Sequence, residues 1–409
     1  MSRENRELVV GLDIGTSKVT CMIAESDPDG QLGVLVLAST PMNGIKRGVV
    51  VNIEATVDAI SRVVQESELM ADCKIGHVYA GIAGSHVKSF NSNGMVAIKD
   101  KEVTTVDVDK VIEVARAIPI PAEQQILHVL TQEFIIDGQG GVREPVGMSG
   151  VKLEVKVHIV TGAVSAAQNV IKCVRRCGLE VSDLALHPLA SSDAVLMEDE
   201  KELGVCLIDI GGGTADIAVF TQGAIRHTAV LPIAGDQITN DIAMALRTPT
   251  SEAEELKIKY GVAMHALADP EEMIEVAGVG DRPPRALSRQ RLADVIEPRI
   301  TELFELVQDE LRRSGYEELL SSGVVLCGGS AMMYGMVELA EEVFNMPARI
   351  GIPVYQGRLA ELVCYPQHAS VYGLVKEGAL LRRKGIAGAE NRSFRHTLGK
   401  MKEWFQRNF

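Results

Sequence analysis

The sequence predicts an α/β protein of two related halves, with a small α+β module inserted in the first half and an amphipathic helix at its C-terminal end. Three observations predict it. Two hairpin patterns with glycine-rich tips recur 196 residues apart. The stretch 87–161 breaks the pattern of its surroundings. The last 18 residues gather basic and aromatic side chains in a chain that is only 4% aromatic.

The chain has 409 residues, enough for two or three domains of roughly 100–200 residues each. Its 46% hydrophobic and 23% charged content is that of a globular protein. The net charge of −14 argues against general nucleic-acid binding, which needs clustered Lys and Arg. The opening MSRENRELVVGLDIG lacks a signal-peptide pattern, because its apolar run is short and breaks at Asp13. No stretch approaches the ~20 apolar residues of a spanning helix. Seven cysteines spread along the chain suggest a reducing compartment. Cys173 and Cys177 lie one helical turn apart, and no nearby Cys or His completes a zinc set. Helix packing is the better reading.

Taken in order, Val9–Ala24 is a hairpin whose first strand ends in Asp13-Ile14-Gly15. A helix follows around Ile53–Glu68, then a strand at His77–Ala83. Within 87–161 come a strand (Gly94–Ile98), an amphipathic helix (Asp107–Ala117) stopped by Pro119 and Pro121, and strands Gln125–Ile136 and Val151–Thr161 around a glycine-rich loop, Asp137–Gly150. The second hairpin, Val205–Phe220, repeats Asp-Ile-Gly at Asp209–Gly211. Asp236–Tyr260 and Ser288–Arg313 read as helices, with Pro298 starting or kinking the second. Strand Gly323–Cys327 runs into Gly328-Gly329-Ser330 and helix Met336–Phe344, and helix Ala369–Arg383 closes the body. The expected division is 1–86, 162–198 and 361–384 for the first half, 87–161 for the module, and 199–360 for the second half. A lesser subdomain lies at about 241–315, a linker at 385–391 and the terminal helix at 392–409.

The chemistry concentrates in the glycine turns. At Gly15-Thr16-Ser17-Lys18, backbone N–H groups and two hydroxyls can surround a phosphate while Lys18 adds a point charge. At Gly211-Gly212-Gly213-Thr214, three residues without Cβ let the chain wrap a second phosphate face. Asp13 and Asp209, each near a strand end, would aim carboxylates between the halves, where hard oxygen ligands beside phosphates suit Mg²⁺ and could position water. Gly328-Gly329-Ser330 suits close approach of a nucleoside. A single such turn is commonplace, but two matching hairpins plus a third Gly-Gly turn in this order point to a nucleotide.

The order LDIGTSK, LIDIGGGTADIAVF, AEELK and VVLCGGSA resembles the actin–Hsp70–sugar kinase superfamily. That resemblance implies an actin-like fold with ATP held between the halves. It makes Glu254 and Lys257, at i and i+3 of one helix, candidate contacts for ribose and base; an ordinary surface ion pair is the plainer alternative. KRGVVVNI (Lys46–Ile53), GIAGSH (Gly81–His86) and GDQITNDI (Gly235–Ile242) extend the resemblance, over nearly the whole chain, to the FtsA family of bacterial cell-division proteins. Its implications are cell division at the inner membrane, self-assembly into filaments, and docking of the tail of the tubulin-like protein FtsZ on the lesser subdomain. The inserted module would meet other division proteins. Arg289 and Arg299, on the helix of that lesser subdomain, become candidate contacts for the acidic FtsZ tail, with solvated helix charge an equal alternative.

In the tail, RSFRHTLGKMKEWFQRNF, the residues Phe394, Leu398, Met401, Phe405 and Phe409 fall within about 80° of helical arc with Trp404 on the flank. Arg395, Lys400, Lys402 and Arg407 line the sides. Such a helix either lies on an anionic membrane or docks on protein; the small-residue linker and flanking cations favour the membrane. FtsA-like proteins end in such a helix. The tail carries +4, which leaves −18 on residues 1–391. An adaptor that binds ATP and tethers FtsZ to the membrane is therefore expected, with ATP turnover left open. The alternatives are a small-molecule kinase, for which no substrate base stands out, and a pilus-assembly actin homologue.

Overall fold

The computed structural model describes residues 7–27, 31–280 and 282–383. Each half is organised around a five-stranded sheet, and the two sheets share one strand order. In the first, Glu7–Ile14, Lys18–Ser26 and Leu32–Pro41 form an antiparallel meander, and His77–Ile82 and then Glu180–Leu186 extend it in parallel. In the second, Val205–Ile210, Ala215–Thr221 and Ala224–Leu231 form the meander, extended in parallel by Val324–Cys327 and Ala348–Ile350. The echo in the sequence is thus a duplicated sheet, with Asp13 and Asp209 at matching positions.

Alternation along the strands explains how the sheets are covered. Val10, Leu12 and Ile14 face helices Ile53–Ala71 and Val164–Arg176. On the opposite face, Val9, Met22 and Ala24 share a core with Val205, Leu207 and Ala218 of the other sheet and with helices His187–Val195 and Ala369–Arg383. Those two helices form a central layer between the halves. Every residue of Val205–Ile210 and Ala215–Thr221 is buried, as in strands covered on both faces, and apart from Asp209, Asp216 and Thr221 all are apolar. Helix contact is closest at Gly373, where a Cβ would fall 1.8 Å from the Ala190 carbonyl oxygen.

The inserted module is a four-stranded antiparallel sheet, ordered Lys88–Ala97, Lys152–Ala163, Gln124–Ile136, Gln139–Val142, with helix Thr105–Arg116 on one face. A capping box between Thr104 and Asp107 starts that helix. Gly94 lets it approach, since a Cβ there would meet the Val111 carbonyl at 2.2 Å. The sheet also leans on the second half. Ser89 donates to the Thr228 carbonyl at 2.8 Å, Gln132 to the Ile225 carbonyl at 2.9 Å, and Arg143 pairs with Glu202.

Several sequence expectations need correction. Strand Lys88–Ala97 begins six residues before the expected Gly94, because its first stretch is polar and mostly exposed along a sheet edge. The loop 137–150 holds a strand, Gln139–Val142, entered through Asp137 (φ 48°) and Gly138 (φ 89°). The segment Asp236–Tyr260 is two helices, Gly235–Leu246 and Thr250–Tyr260, broken at Arg247 (φ 48°) ahead of Pro249, whose ring excludes the preceding residue from helical geometry. Pro298 does not start the next helix; it lies inside Arg289–Ser314. Cys177 donates to the Cys173 carbonyl at 3.3 Å, and Cys173 is buried against the first sheet, which is the packing role. The tail 392–409 and linker 385–391 lie outside the described residues.

Candidate functional site

The two hairpins put their turns at one place. Each turn closes in the same way: Gly15 N–H donates to the Lys18 carbonyl at 3.0 Å, and Gly211 N–H to the Thr214 carbonyl at 2.9 Å. The tips then meet. A Cβ on Gly212 would fall 1.9 Å from Ser17 Oγ, and one on Gly213 would fall 2.6 Å from Thr16 Oγ1. The turn Gly15-Thr16-Ser17-Lys18 therefore meets the turn Gly211-Gly212-Gly213-Thr214 through Thr16 and Ser17 against Gly213 and Gly212.

The other motifs brace the second turn. Ser330 Oγ donates to the Gly211 carbonyl at 2.9 Å, and Gly328 (φ +87°) passes so close to Asp209 that a Cβ would stand 2.5 Å from Oδ1. Gly329 begins the short turn Ser330–Met332, and the α-helix starts only at Met336. The Gly235 and Asp236 N–H groups donate to the Gly211 and Gly212 carbonyls at 3.1 and 2.7 Å. Lys257 reaches the Gly235 carbonyl at 3.1 Å, Thr239 at 2.8 Å and Glu254 at 2.7 Å. Glu254 and Lys257 thus form an ion pair whose lysine is buried rather than on the surface, one connection away from the glycine turn.

Beneath the tips lies a charge cluster that sequence reasoning found only in part. Asp13 Oδ1 stands 3.1 Å from His187 Nε2, an ion-pair distance without hydrogen-bond alignment. Burial opposes the His187 cation, but Asp13, then Asp216 and Asp209, outweigh it and raise the imidazole to about 9. Burial would raise Asp13, yet His187 and Lys18 hold it below its ordinary value. Asp209 goes the other way: burial raises it, although Ser191 and Ser370 both donate to Oδ2. Burial also raises Asp216 to about 7, against a hydrogen bond from Thr214. Lys18 donates to Gln367 at 2.9 Å, and burial lowers it against the pull of Asp13. Asp13 Oδ1 and Asp216 Oδ1 are buried and accept no hydrogen bond from the described residues. They are hard donors of the type that suits Mg²⁺, and on Asp209 it is Oδ2 that accepts from both serines. Among the described residues no set of three His, Cys, Asp or Glu side chains is arranged to hold a metal alone.

His187, Ser191, Gln367 and Ser370 carry no motif in the sequence. Asp216 did leave a signal: it is the one charged residue in an otherwise apolar strand and the cross-strand partner of Asp209. Arg289 and Arg299 are held in local ion pairs along helix Arg289–Ser314. Arg289 binds the Tyr260 carbonyl at 2.8 Å and Glu272 at 2.7 Å, and Arg299 binds Asp241 and Glu302.

Comparison with known proteins places this geometry. Solved structures with the same fold include the PilM–PilN type IV pilus biogenesis complex (TM-score 0.66, 19% identity, 92% of this chain and 99% of that one). MreB5 of Spiroplasma citri bound to ADP is another (TM-score 0.54, 14% identity, 94% and 99%). Likeness at such identity speaks for the actin-like fold alone. The model described as "SHS2 domain inserted in FTSA" matches residues 84–161, and that for cell division protein FtsA matches 206–373. Cell division protein FtsA of Pseudomonas aeruginosa is 55% identical over the whole of both chains, and that of Neisseria meningitidis is 49% identical over the same extent. The Escherichia coli K12 protein is 43% identical over 99% of each. With the duplicated sheet, the module at 87–161 and full-length identity all agreeing, the chain belongs to the FtsA family of cell division proteins.

Proposed function

We propose that the chain binds ATP between its two glycine turns and works in division as a membrane-tethered adaptor for FtsZ. The observation that carries the nucleotide reading is the contact of Thr16 and Ser17 with Gly212 and Gly213 above a buried carboxylate cluster. The backbone N–H groups of both turns would hold phosphate, with Lys18 as counter-charge. Asp13 and Asp216 would hold Mg²⁺ through their Oδ1 atoms, Asp13 giving up its ion pair with His187, with Asp209 fixed nearby by two serines; phosphate and water would complete the shell. When bound, Mg²⁺ would neutralise phosphate charge and favour the closed arrangement. Glu254 would face the nucleoside, with Lys257 holding it in place. Whether ATP is turned over is separate from this role.

Full-length likeness to division proteins favours the adaptor over a pilus-assembly role, since the PilM–PilN likeness is one of fold. The basic, aromatic stripe of Phe394, Leu398, Met401, Trp404, Phe405 and Phe409 supports peripheral attachment to the inner face of the membrane. The FtsZ tail would dock on the helix Arg289–Ser314, where Arg289 and Arg299 must exchange Glu272 and Asp241 for the acidic peptide. Filament formation and contact of the inserted module with later division proteins complete the reading.

Gly212→Val tests the nucleotide site. The larger side chain should abolish binding of a fluorescent ATP analogue, and normal affinity would refute the assignment.

A further inference from the structure

The strands Ile45–Lys46 and Val49–Val50 form a minimal hairpin whose two-residue turn is Arg47-Gly48, both at positive φ (50° and 75°). Turns of this mirror-image kind favour Asn, Asp or Gly at the first position, because a Cβ is crowded there. An arginine at that position is unusual.

The turn is wedged at the point where the phosphate-binding tips meet. Gly48 N–H donates to Thr16 Oγ1 at 3.2 Å. A Cβ on Gly48 would stand 2.6 Å from the Gly84 Cα, and one on Gly213 would stand 3.0 Å from the Arg47 Cα. Three neighbours, Thr16, Gly84 and Gly213, therefore fix the backbone of Arg47 beside both turns. Its side chain is exposed and forms no ion pair with any described residue, and the same holds for Lys46. A guanidinium carried on a backbone fixed beside the two glycine turns has a fork geometry matched to phosphate oxygens.

Building on the nucleotide reading above, we propose that Arg47 is a specificity residue for the terminal phosphate of a nucleoside triphosphate, distinguishing ATP from ADP. The triphosphate carries the extra charge and oxygens that a bidentate guanidinium recognises, and the diphosphate lacks that group. Thr16 links the two sites, since its hydroxyl both touches the Gly213 turn and accepts from Gly48.

Calorimetric titration of ATP and ADP, each with Mg²⁺, into the full chain tests this. Arg47→Gly removes the cation while suiting the positive φ, so the fold is spared. The ATP-to-ADP affinity ratio should fall about tenfold in Arg47→Gly and less in Arg47→Lys, which keeps a charge without the fork. An unchanged ratio in Arg47→Gly, or equal loss for both nucleotides, overturns the proposal while leaving nucleotide binding intact. If the unaltered chain binds neither nucleotide, the nucleotide reading fails and this proposal with it.

Discussion

His158 Nε2 stands 3.0 Å from Thr228 Oγ1, joining the inserted module to the second half through a buried contact. The other ring nitrogen, Nδ1, lies 2.8 Å from Asn91 Oδ1, so a neutral ring donates on one side and accepts on the other. Burial, with neighbouring His227, lowers His158 to about 4.

A base with a depressed folded value loses native-state stability as pH falls, because the unfolded chain takes up the proton first. The effect begins near pH 6.5 and is complete near pH 4, about 3 kcal/mol across that window. Hydrogen-exchange protection at strands Lys152–Ala163 and Ala224–Leu231, taken relative to the intrinsic amide rate at each pH, should therefore fall between pH 6.5 and 4. His158→Gln, which keeps a donor and an acceptor, should flatten that dependence; an unchanged profile would contradict it.

His187 is the buried cation among Asp13, Asp209 and Asp216. His187→Ala leaves those carboxylates facing one another with only Lys18 near, a loss of about 2–4 kcal/mol softened by protonation of Asp216. The folded value of His187 lies above that of the free ring, so its contribution is full below about pH 6.5 and fades as pH rises through about 9. Thermal melts should show a gap between the two proteins at pH 6 that narrows by pH 9.5. A gap independent of pH would contradict the ion-pair account.

Gly373→Ala forces a methyl group against the Ala190 carbonyl. Overpacking at a helix contact costs about 1–3 kcal/mol or more, so urea denaturation should show a lower midpoint. Gly138→Ala meets nothing within 4 Å, although φ is +89°, and should cost about 1 kcal/mol from backbone strain alone.

Deleting residues 392–409 should abolish co-flotation with liposomes containing anionic lipid and leave ATP binding unaltered. Because each basic residue contributes roughly 1 kcal/mol near such a surface, flotation of the full chain should weaken as salt is raised. Flotation that survives the deletion would refute the anchor.

The duplicated hairpins were legible because Asp-x-Gly and its turn need the same residues in both halves. Long apolar strands and amphipathic helices were legible for the same reason, since burial imposes a period. The polar edge strand Lys88–Ala97 was hidden because exposure relaxes that period. The strand at Gln139–Val142 was hidden by its glycines, although Asp137-Gly138 is a strong hairpin signal. In the site, the glycine turns announced themselves, but Ser191 and Ser370 reach Asp209 from two helices 18 and 161 residues away, and no local pattern encodes that. His187 belongs with them: its role depends on three carboxylates assembled by folding.

The near-contact of Gly373 with Ala190 bears on how the halves can move. Two helices already this close cannot press nearer, so any closing of the halves would have to turn about this contact rather than compress it. The crossing then acts as an axle. His187 lies three residues from Ala190 on the same helix, about 4.5 Å along it, so it sits near the axle with a short lever arm.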